Sequence, residues 1–271
     1  MSLFKKILAA VDGSAGSRTA FREACRLARA ERAKLLAMCV APRYEGDLRL
    51  FGAGDVGRLL EEPCASARRM VEGVSSAEGV DVAFYDERGD PAPVIVDFAD
   101  RHDCDLVVMG AGRLARRRWP LLASVAAQTL RSSRRNLLLL PERPELEWQR
   151  VALMTDGLPS SVSAGLVAIA LARAYGAILD ILPIPASVER GLEHAAELER
   201  MAGRVDVSVA RTVIANTVDA AVAALAKERR VEIVIAGAPT GRTTGRTVSV
   251  RTVASVLRRA QTAMLVVRTG N

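Results

Sequence analysis

One stretch of this chain occurs twice, and the duplication restricts the fold more than any other feature of the sequence. The first copy is Asp105–Pro141 and the second is Glu232–Arg268. The two copies align without a gap when Gly237 is placed on Gly110. A chain of 271 residues is long enough for two domains of ordinary size. The duplication therefore predicts two domains with the same fold.

Each copy has the pattern of a strand, a glycine-containing loop, a helix and a second strand. In the first copy, the apolar run Asp105–Met109 predicts a buried strand that Gly110 and Gly112 end. Ser124 is a predicted helix cap, and Leu137–Leu140 predicts the second buried strand. Glycines followed by the unpaired N–H groups of a helix N-terminus suit an anion such as phosphate. Many α/β loops contain glycine without binding a ligand, so this pattern alone does not identify one.

Upstream of each copy, strands and helices are predicted to alternate. In the first half we predict strands at Lys6–Val11, Lys34–Ala41 and Val80–Tyr85, helices at Arg18–Ala30, Leu59–Val74 and Pro91–Arg101, and a polar connection at Pro42–Gly57. In the second half we predict strands at Val151–Thr155, Ala177–Leu182 and Val205–Val213, and helices at Val162–Ala174, Val188–Met201 and Val218–Lys227. This alternation predicts an α/β protein with a parallel sheet and helices on both faces in each half.

The polar segment Pro141–Gln149, which contains two prolines, is the predicted linker. We therefore place domain 1 at residues 1–143 and domain 2 at residues 149–271. In parallel sheets of this kind, ligands bind at the carboxyl ends of the strands, where the strand order reverses. Asp12 and Gly110 are expected to flank one such crevice, and Asp156 and Gly237 the other.

Composition and charge narrow the range of partners. The net charge of +7 makes nucleic acid a partner to consider. Acidic residues interleave with the basic ones, however, which favours a solvated surface and disfavours nucleic-acid binding, even at the basic run Arg116–Trp119. No stretch approaches the ~20 apolar residues of a membrane span, so no membrane partner is expected. The four cysteines lack metal-ligand or redox spacing, which predicts buried, reduced thiols and a cytoplasmic protein.

Several ordered motifs resemble those of the universal stress protein family. They are Val11–Ser14, Val107–Gly110, Ser124–Ala126 and Thr129–Arg131 in the first half, and Asp156–Gly157 and Val256–Arg258 in the second. Because such motifs occur in both halves, the chain resembles a tandem member of the family with two universal stress protein domains.

The resemblance implies two tandem Rossmann-like domains of the adenine nucleotide alpha hydrolase-like type. Each domain would have a five-stranded parallel sheet in the order 3-2-1-4-5, and domains of this family pair, usually through the last strand. The two halves of this chain could pair with each other, and a homodimer also stays open. Many members of the family bind ATP and others do not, so an adenine nucleotide is the implied ligand.

The family's nucleotide loop consists of Gly, two residues, Gly, nine residues, Gly, and then Ser or Thr. In the first half, Gly110 and Ser124 match this pattern. Gly112 stands one position early, Arg113 occupies the position of the second glycine, and Ala123 replaces the last one. The first loop therefore retains part of the motif.

The loop of the second half departs further from the pattern. Gly237 matches, but Thr240 and Val250 replace the later glycines. Asp156 is retained after the first strand of this half. The resemblance thus implies nucleotide binding mainly in domain 1.

Within domain 1, Asp12 is expected to accept hydrogen bonds from ribose or adenine. Phosphate would be held by backbone N–H groups of the loop and by a nearby arginine. The other predicted site residues lie at strand ends or along the loop and are Val40, Met109, Gly110, Gly112, Arg113, Ala123, Ser124 and Val125. Asp156 and Gly237 are the corresponding predictions for domain 2.

No catalytic residue is predicted. The chain has no Walker-type motif, and His102 and His194 have no paired nucleophile in the sequence. No Cys/His cluster predicts a metal site, and Mg²⁺ is expected only with the phosphates of a nucleotide. Three functions stay open: a stress or signalling protein that binds an adenine nucleotide, an interaction module that acts through dimerisation and partner contacts, and a slow nucleotide hydrolase.

Overall fold

The structure is a computed structural model, and it describes residues 2–41, 53–111, 124–142, 146–184, 188–205, 207–211, 218–239 and 249–269. The chain divides into two compact units, Ser2–Gly110 and Ala111–Asn271. The predicted domain limits, 1–143 and 149–271, stay a prediction.

The unit Ser2–Gly110 contains four parallel strands and three helices. The strands are β1 (Lys6–Ala10), β2 (Lys34–Ala41), β3 (Val82–Arg88) and β4 (Leu106–Gly110), and the helices are α1 (Ala15–Glu31), α2 (Ala53–Glu78) and α3 (Pro91–Arg101). The strand order is β3-β2-β1-β4, which follows the first four positions of the predicted order. In the register of the sheet, Ala10 on β1 pairs with Met38 on β2 and with Met109 on β4.

Local sequence signals explain how α1 forms. Ser14 is its N-cap, and the Ser14 hydroxyl accepts a hydrogen bond from the backbone N–H of Ser17 at 3.2 Å. The helix buries an alanine-rich face that includes Ala24 and Leu27, as its spacing predicts. It ends at Arg32, whose left-handed backbone places its N–H on carbonyls of the last turn.

The helix α2 begins earlier than the sequence indicates. It starts at Ala53, so residues 53–57 of the predicted connection Pro42–Gly57 belong to the helix. The helix is held by its apolar face, which includes Met70 and Val71, and propagation from this packed part costs little per added residue. The remaining predicted connection lies outside the described residues.

The unit Ala111–Asn271 contains the remaining elements. Its strands are β5 (Asn136–Leu140), β6 (Arg150–Thr155), β7 (Ile178–Pro183), β8 (Val209–Arg211), β9 (Ile233–Pro239) and β10 (Ala263–Thr269). Its helices are α4 (Val125–Ser132), α5 (Pro159–Tyr175), α6 (Val188–Gly203), α7 (Val218–Glu228) and α8 (Val250–Arg259). The strand order is β5-β10-β9-β6-β7-β8, and within it β8-β7-β6-β9-β10 is the predicted order 3-2-1-4-5. The predicted α/β, Rossmann-like fold class is confirmed.

The strands of this unit are buried on both faces. Side chains alternate between the two faces of a strand, and six consecutive residues of β9 and six of β10 are buried. The strand predicted at Val205–Val213 is shorter in the structure, where β8 has three residues. Its amino end fails because Val205 belongs to a turn that closes on Ala202 after α6.

The antiparallel pairing of β5 with β10 joins the last strands of the two repeats. Leu138 pairs with Leu265 in this ladder. Arg268 on β10 strengthens the junction, because its guanidinium donates hydrogen bonds to the carbonyls of Leu130 and Pro239. The backbone N–H of Arg268 also donates to the side chain of Asn136 at 2.9 Å. Strand β5 is thereby part of the second compact unit.

No helix within the described residues combines the length and the apolar character that a membrane span requires.

Candidate functional site

The carboxyl ends of β1, β2 and β4 bring together the predicted residues of the first unit. Because Ala10 pairs with residues of both neighbouring strands, the three parallel strands end at one edge of the sheet. Asp12 follows β1, Val40 lies near the end of β2, and Met109 and Gly110 end β4. The predicted placement of Asp12 beside Gly110 at this edge agrees with the sheet register.

Asp12 forms a tight turn that leads into α1. Its Oδ1 accepts a hydrogen bond from the backbone N–H of Ser14 at 3.0 Å. The hydroxyl of Ser17, one turn into the helix, donates to the carbonyl of Ser14 at 3.0 Å. The Asp12 side chain is exposed. An exposed carboxylate at this edge has lone pairs that suit hydroxyl or amino donors of a ligand.

Gly110 allows β4 to approach the first turn of α1. A Cβ at this position would lie 3.0 Å from the backbone carbon and oxygen of Gly16. A side chain here would press on the backbone of α1, so the glycine favours this packing whether or not a phosphate binds nearby. Of the other residues at this edge, Met109 is buried and Val40 is half-buried.

The predicted phosphate loop is described only at its ends. Gly112, Arg113 and Ala123 lie outside the described residues, as do the loop positions after Pro239. Ser124 lies in the unit Ala111–Asn271, is buried, and caps α4 by accepting a hydrogen bond from the N–H of Ala127 at 3.2 Å. Val125 is the first residue of α4. The cap predicted at Ser124 is confirmed, and its contact with phosphate stays a prediction.

The second repeat buries its corresponding aspartate. Asp156 is 1% exposed, and its Oδ1 accepts hydrogen bonds from the N–H of Leu158 at 3.0 Å and from the hydroxyl of Ser161 at 2.5 Å. The start of α5 also lies directly against β9, because a Cβ on Gly237 would overlap the carbonyl group of Ser160. Asp156 therefore holds the turn before α5 together, and its carboxylate faces the interior of the unit.

A histidine contact at this second edge could not be anticipated from spacing along the chain. Thr155 Oγ1 and His194 Nδ1 lie 2.7 Å apart in a hydrogen bond, and both residues are buried. Burial lowers the pKa of His194, while the carboxylates of Glu197 and Asp156 oppose that shift. The available signal was the hydroxyl of Thr155, which stands where the first repeat has Val11.

A metal site at either edge would need a cluster of carboxylate, thiol or imidazole side chains. Within the part of the chain that the structure describes, no group of three His, Cys, Asp or Glu side chains is placed to hold a metal ion.

Parallel sheets with an Asp-Gly turn after the first strand of each repeat define a tandem α/β protein of the Rossmann-like class. The family model described as the universal stress protein family matches residues 3–141. This match covers more than half of the chain, and the chain belongs to the universal stress protein family.

Similar proteins support this assignment. A universal stress protein of Methanocaldococcus jannaschii is 29% identical over 153 residues, which cover 54% of this chain and 86% of that protein. A solved universal stress protein from Archaeoglobus fulgidus is 16% identical, with a TM-score of 0.77 and coverage of 98% of this chain and 97% of the other. A solved putative universal stress protein from Pseudomonas aeruginosa is 16% identical, with a TM-score of 0.64 and coverage of 98% and 94%. At these identities the two structures show the fold alone.

Proposed function

We propose that this universal stress protein binds ATP or a related adenine nucleotide at the carboxyl edge of its first repeat. The binding would serve stress response or signalling rather than efficient turnover. The ligand class comes from the family resemblance and from the retained Gly110 and Ser124 of the nucleotide loop. The choice of the first repeat comes from the described residues.

The contrast between Asp12 and Asp156 carries the proposal. Both aspartates follow the first strand of a repeat, and both accept a hydrogen bond from the N–H two residues later. Asp12 is exposed, whereas Asp156 is buried and also accepts a hydrogen bond from the Ser161 hydroxyl. Only the carboxylate of Asp12 is placed at the surface, where a ribose hydroxyl or an adenine amino group can reach it.

The first experiment measures nucleotide binding directly. The purified full-length chain is denatured and the released small molecules are identified by mass spectrometry, and ATP and cAMP are titrated into nucleotide-stripped protein by calorimetry. We expect one adenine nucleotide site per chain. Absence of both a released nucleotide and a titration signal would overturn the proposal.

Two matched variants locate the site. Asp12→Ala is expected to weaken binding by at least about tenfold, because hydrogen bonds to a charged group contribute ~1.5–3 kcal/mol. Asp156→Ala removes the same carboxylate in the other repeat and should leave the dissociation constant within about twofold, provided that circular dichroism shows it is folded. Equal losses in both variants would contradict a site in the first repeat.

Turnover is measured on the same samples. No catalytic residue is predicted from the sequence, and the Asp12 carboxylate holds its own turn by accepting a hydrogen bond from the N–H of Ser14. We therefore expect phosphate release at the rate of a matched Asp12→Ala control. A clear excess in the wild-type protein would support the slow hydrolase instead.

A second candidate function is an interaction module that acts through dimerisation. It is favoured by three exposed apolar residues that recur every fourth position at the start of α5, namely Leu158, Val162 and Leu166. The corresponding positions of α1 are polar, with Arg18 and Arg22 on that face. Neighbouring exposed apolar side chains on one helix face favour a contact surface.

Sedimentation equilibrium distinguishes this alternative. If the stripe forms a homodimer, Leu166→Glu should shift the chain to the monomer, while Arg22→Glu at the corresponding position of α1 should leave the mass unchanged. A monomeric wild-type protein would remove the support for dimerisation through this face.

A further inference from the structure

Two cysteines that are distant in the sequence come into contact in the first unit. The Sγ atoms of Cys39 and Cys64 lie 2.8 Å apart, although 25 positions separate the residues along the chain. Cys39 is on β2 and is 2% exposed, and Cys64 is on α2 and is 7% exposed. The spacing along the chain does not suggest a redox pair, because a strand and a helix that pack together create this contact.

The distance between the two sulfur atoms is close to that in a disulfide. A covalent S–S bond is about 2.05 Å long, so the two sulfur atoms would have to approach by less than about 1 Å. Cys39 is held in the interior of the sheet, where it pairs with Asp86 of β3. Cys64 lies on a helix that packs against this sheet, and a small shift of that helix would bring the sulfurs together.

Burial protects the Cys39 thiol from adventitious reaction. Burial raises the pKa of the Cys39 thiol, and the neighbouring Cys64 and the carboxylates of Asp86 and Asp12 raise it further. The protonated thiol is a poor nucleophile, so adventitious reaction at neutral pH is slow. When an oxidant is present, the contact between the two sulfur atoms favours a disulfide between Cys39 and Cys64.

We propose that Cys39 and Cys64 form a reversible disulfide when the protein encounters hydrogen peroxide. In the first step the more exposed Cys64 sulfur attacks the peroxide, the O–O bond breaks, and a sulfenic acid and one water form. In the second step the Cys39 sulfur attacks the sulfenic sulfur, the S–S bond forms, and the S–O bond breaks. The departing hydroxide takes the Cys39 proton as a second water. The two thiols together lose two electrons, and the peroxide is reduced to water.

The bond would fix α2 beside the candidate nucleotide site. Cys39 directly precedes Val40 at the carboxyl edge. Helix α2 also touches the Asp12 turn, because a Cβ on Gly13 would lie 3.4 Å from the Ser66 hydroxyl oxygen. We expect oxidation to change nucleotide affinity by at least about threefold, a consequence that rests on the proposed function. Disulfide formation itself does not depend on nucleotide binding.

The test uses the full-length chain and peptide mapping. Reduced protein is freed of reductant, treated with hydrogen peroxide under native conditions, denatured, alkylated and digested with trypsin. Trypsin places Cys39 in peptide 35–43 and Cys64 in peptide 59–68, while Cys25 and Cys104 fall in peptides 23–26 and 102–113. We expect a cross-link between 35–43 and 59–68 that dithiothreitol removes, with the other two cysteines alkylated.

Matched variants and a second readout complete the design. Cys25→Ser should retain the cross-link, and Cys39→Ser and Cys64→Ser should each abolish it. The inference is overturned on wild-type protein alone if all four cysteines are alkylated after peroxide treatment. It is also overturned if cross-links that involve Cys25 or Cys104 are as abundant as the one between Cys39 and Cys64. A cross-link in protein that binds no nucleotide in either state would leave the inference standing and refute the proposed function. A cross-link without a change in measured affinity would refute the coupling.

Discussion

At the scale of single residues, the orientation of one hydroxyl group separates the two repeats. Ser17 and Ser161 occupy corresponding positions, one turn into α1 and α5. The Ser17 hydroxyl donates to a backbone carbonyl, whereas the Ser161 hydroxyl donates to the carboxylate of Asp156. The same pair, an aspartate and a serine five residues later, therefore has different roles in the two repeats. In the first repeat the carboxylate lies at the surface, and in the second it is a buried hydrogen-bond acceptor that holds the turn together.

His194 makes the stability of the second unit sensitive to acid. Burial lowers the pKa of this histidine, so the folded protein holds it neutral while the unfolded chain takes up the proton more readily. The stabilising contribution is thus fully present above the unfolded pKa of about 6.5 and is lost as the pH falls below it. We expect the urea midpoint of the wild-type protein to fall more steeply from about pH 7.5 to 5.5 than that of His194→Asn.

The matched control for this prediction is the other histidine of the chain. The His102 ring stacks on the Phe98 ring at the end of α3 and lacks the Thr155 contact, so His102→Asn tests whether the effect is specific to the contact of His194 with Thr155. If His194→Asn and the wild-type protein lose stability in parallel, the histidine does not control the acid sensitivity.

At the scale of elements, the packing of α5 on β9 depends on a glycine. The carbonyl of Ser160 occupies the space that a side chain on Gly237 would need. Gly237→Ala should therefore force the helix away from the strand and destabilise the protein by about 3 kcal/mol or more. Chemical denaturation followed by circular dichroism measures this loss.

A glycine in an open position serves as the control. Gly73 lies within α2 and is exposed, and a Cβ there would meet no atom within 4 Å. Gly73→Ala is expected to stabilise the protein by about 0.5–1 kcal/mol, because alanine loses less conformational freedom in a helix. Equal stability of the Gly237→Ala and wild-type proteins would show that α5 and β9 are not tightly apposed.

The elements themselves could largely be predicted from the sequence, since strands buried on both faces are continuous apolar runs. The limits of Lys34–Ala41 and Pro91–Arg101 agree with the sequence pattern. The start of α2 could not be predicted, because it depends on helix propagation from a packed segment. The burial of Asp156 and the contact of Cys39 with Cys64 depend on how a helix lies against a sheet, which no local pattern encodes.

The candidate site could likewise be predicted only in part from the sequence. The meeting of Asp12 and Gly110 follows from a general property of parallel sheets and could be stated from the sequence. The unequal roles of Asp12 and Asp156 could not be predicted from the sequence. Both aspartates lie within two residues of the end of the first strand of their repeat, and both are followed by glycine. The burial of Asp156 depends on how closely α5 lies against β9, where Gly237 meets Ser160, and these two residues are far apart in the sequence.

At the scale of the whole molecule, the antiparallel pair of β5 and β10 determines which fragments of the chain are stable on their own. The fragment 149–271 lacks β5 and leaves the β10 edge uncovered at Met264–Val266. An uncovered apolar strand edge pairs readily with other chains. We expect the fragment 149–271 to unfold at a lower urea concentration than the fragment 111–271, which retains the β5–β10 ladder. A 149–271 fragment as stable as 111–271 would contradict this prediction.

The same strand pair orders events during biosynthesis. Leu139 on β5 leaves the ribosome long before its partner Met264 on β10 is translated. At typical translation rates of about 5–20 residues per second, β5 waits roughly 6–25 s for its antiparallel partner. Strands β1 to β4 are synthesised before β5 and can therefore fold during this interval. Closure of the β5–β10 ladder is therefore a late step, and until it occurs the nascent chain carries a strand edge that chaperones can recognise.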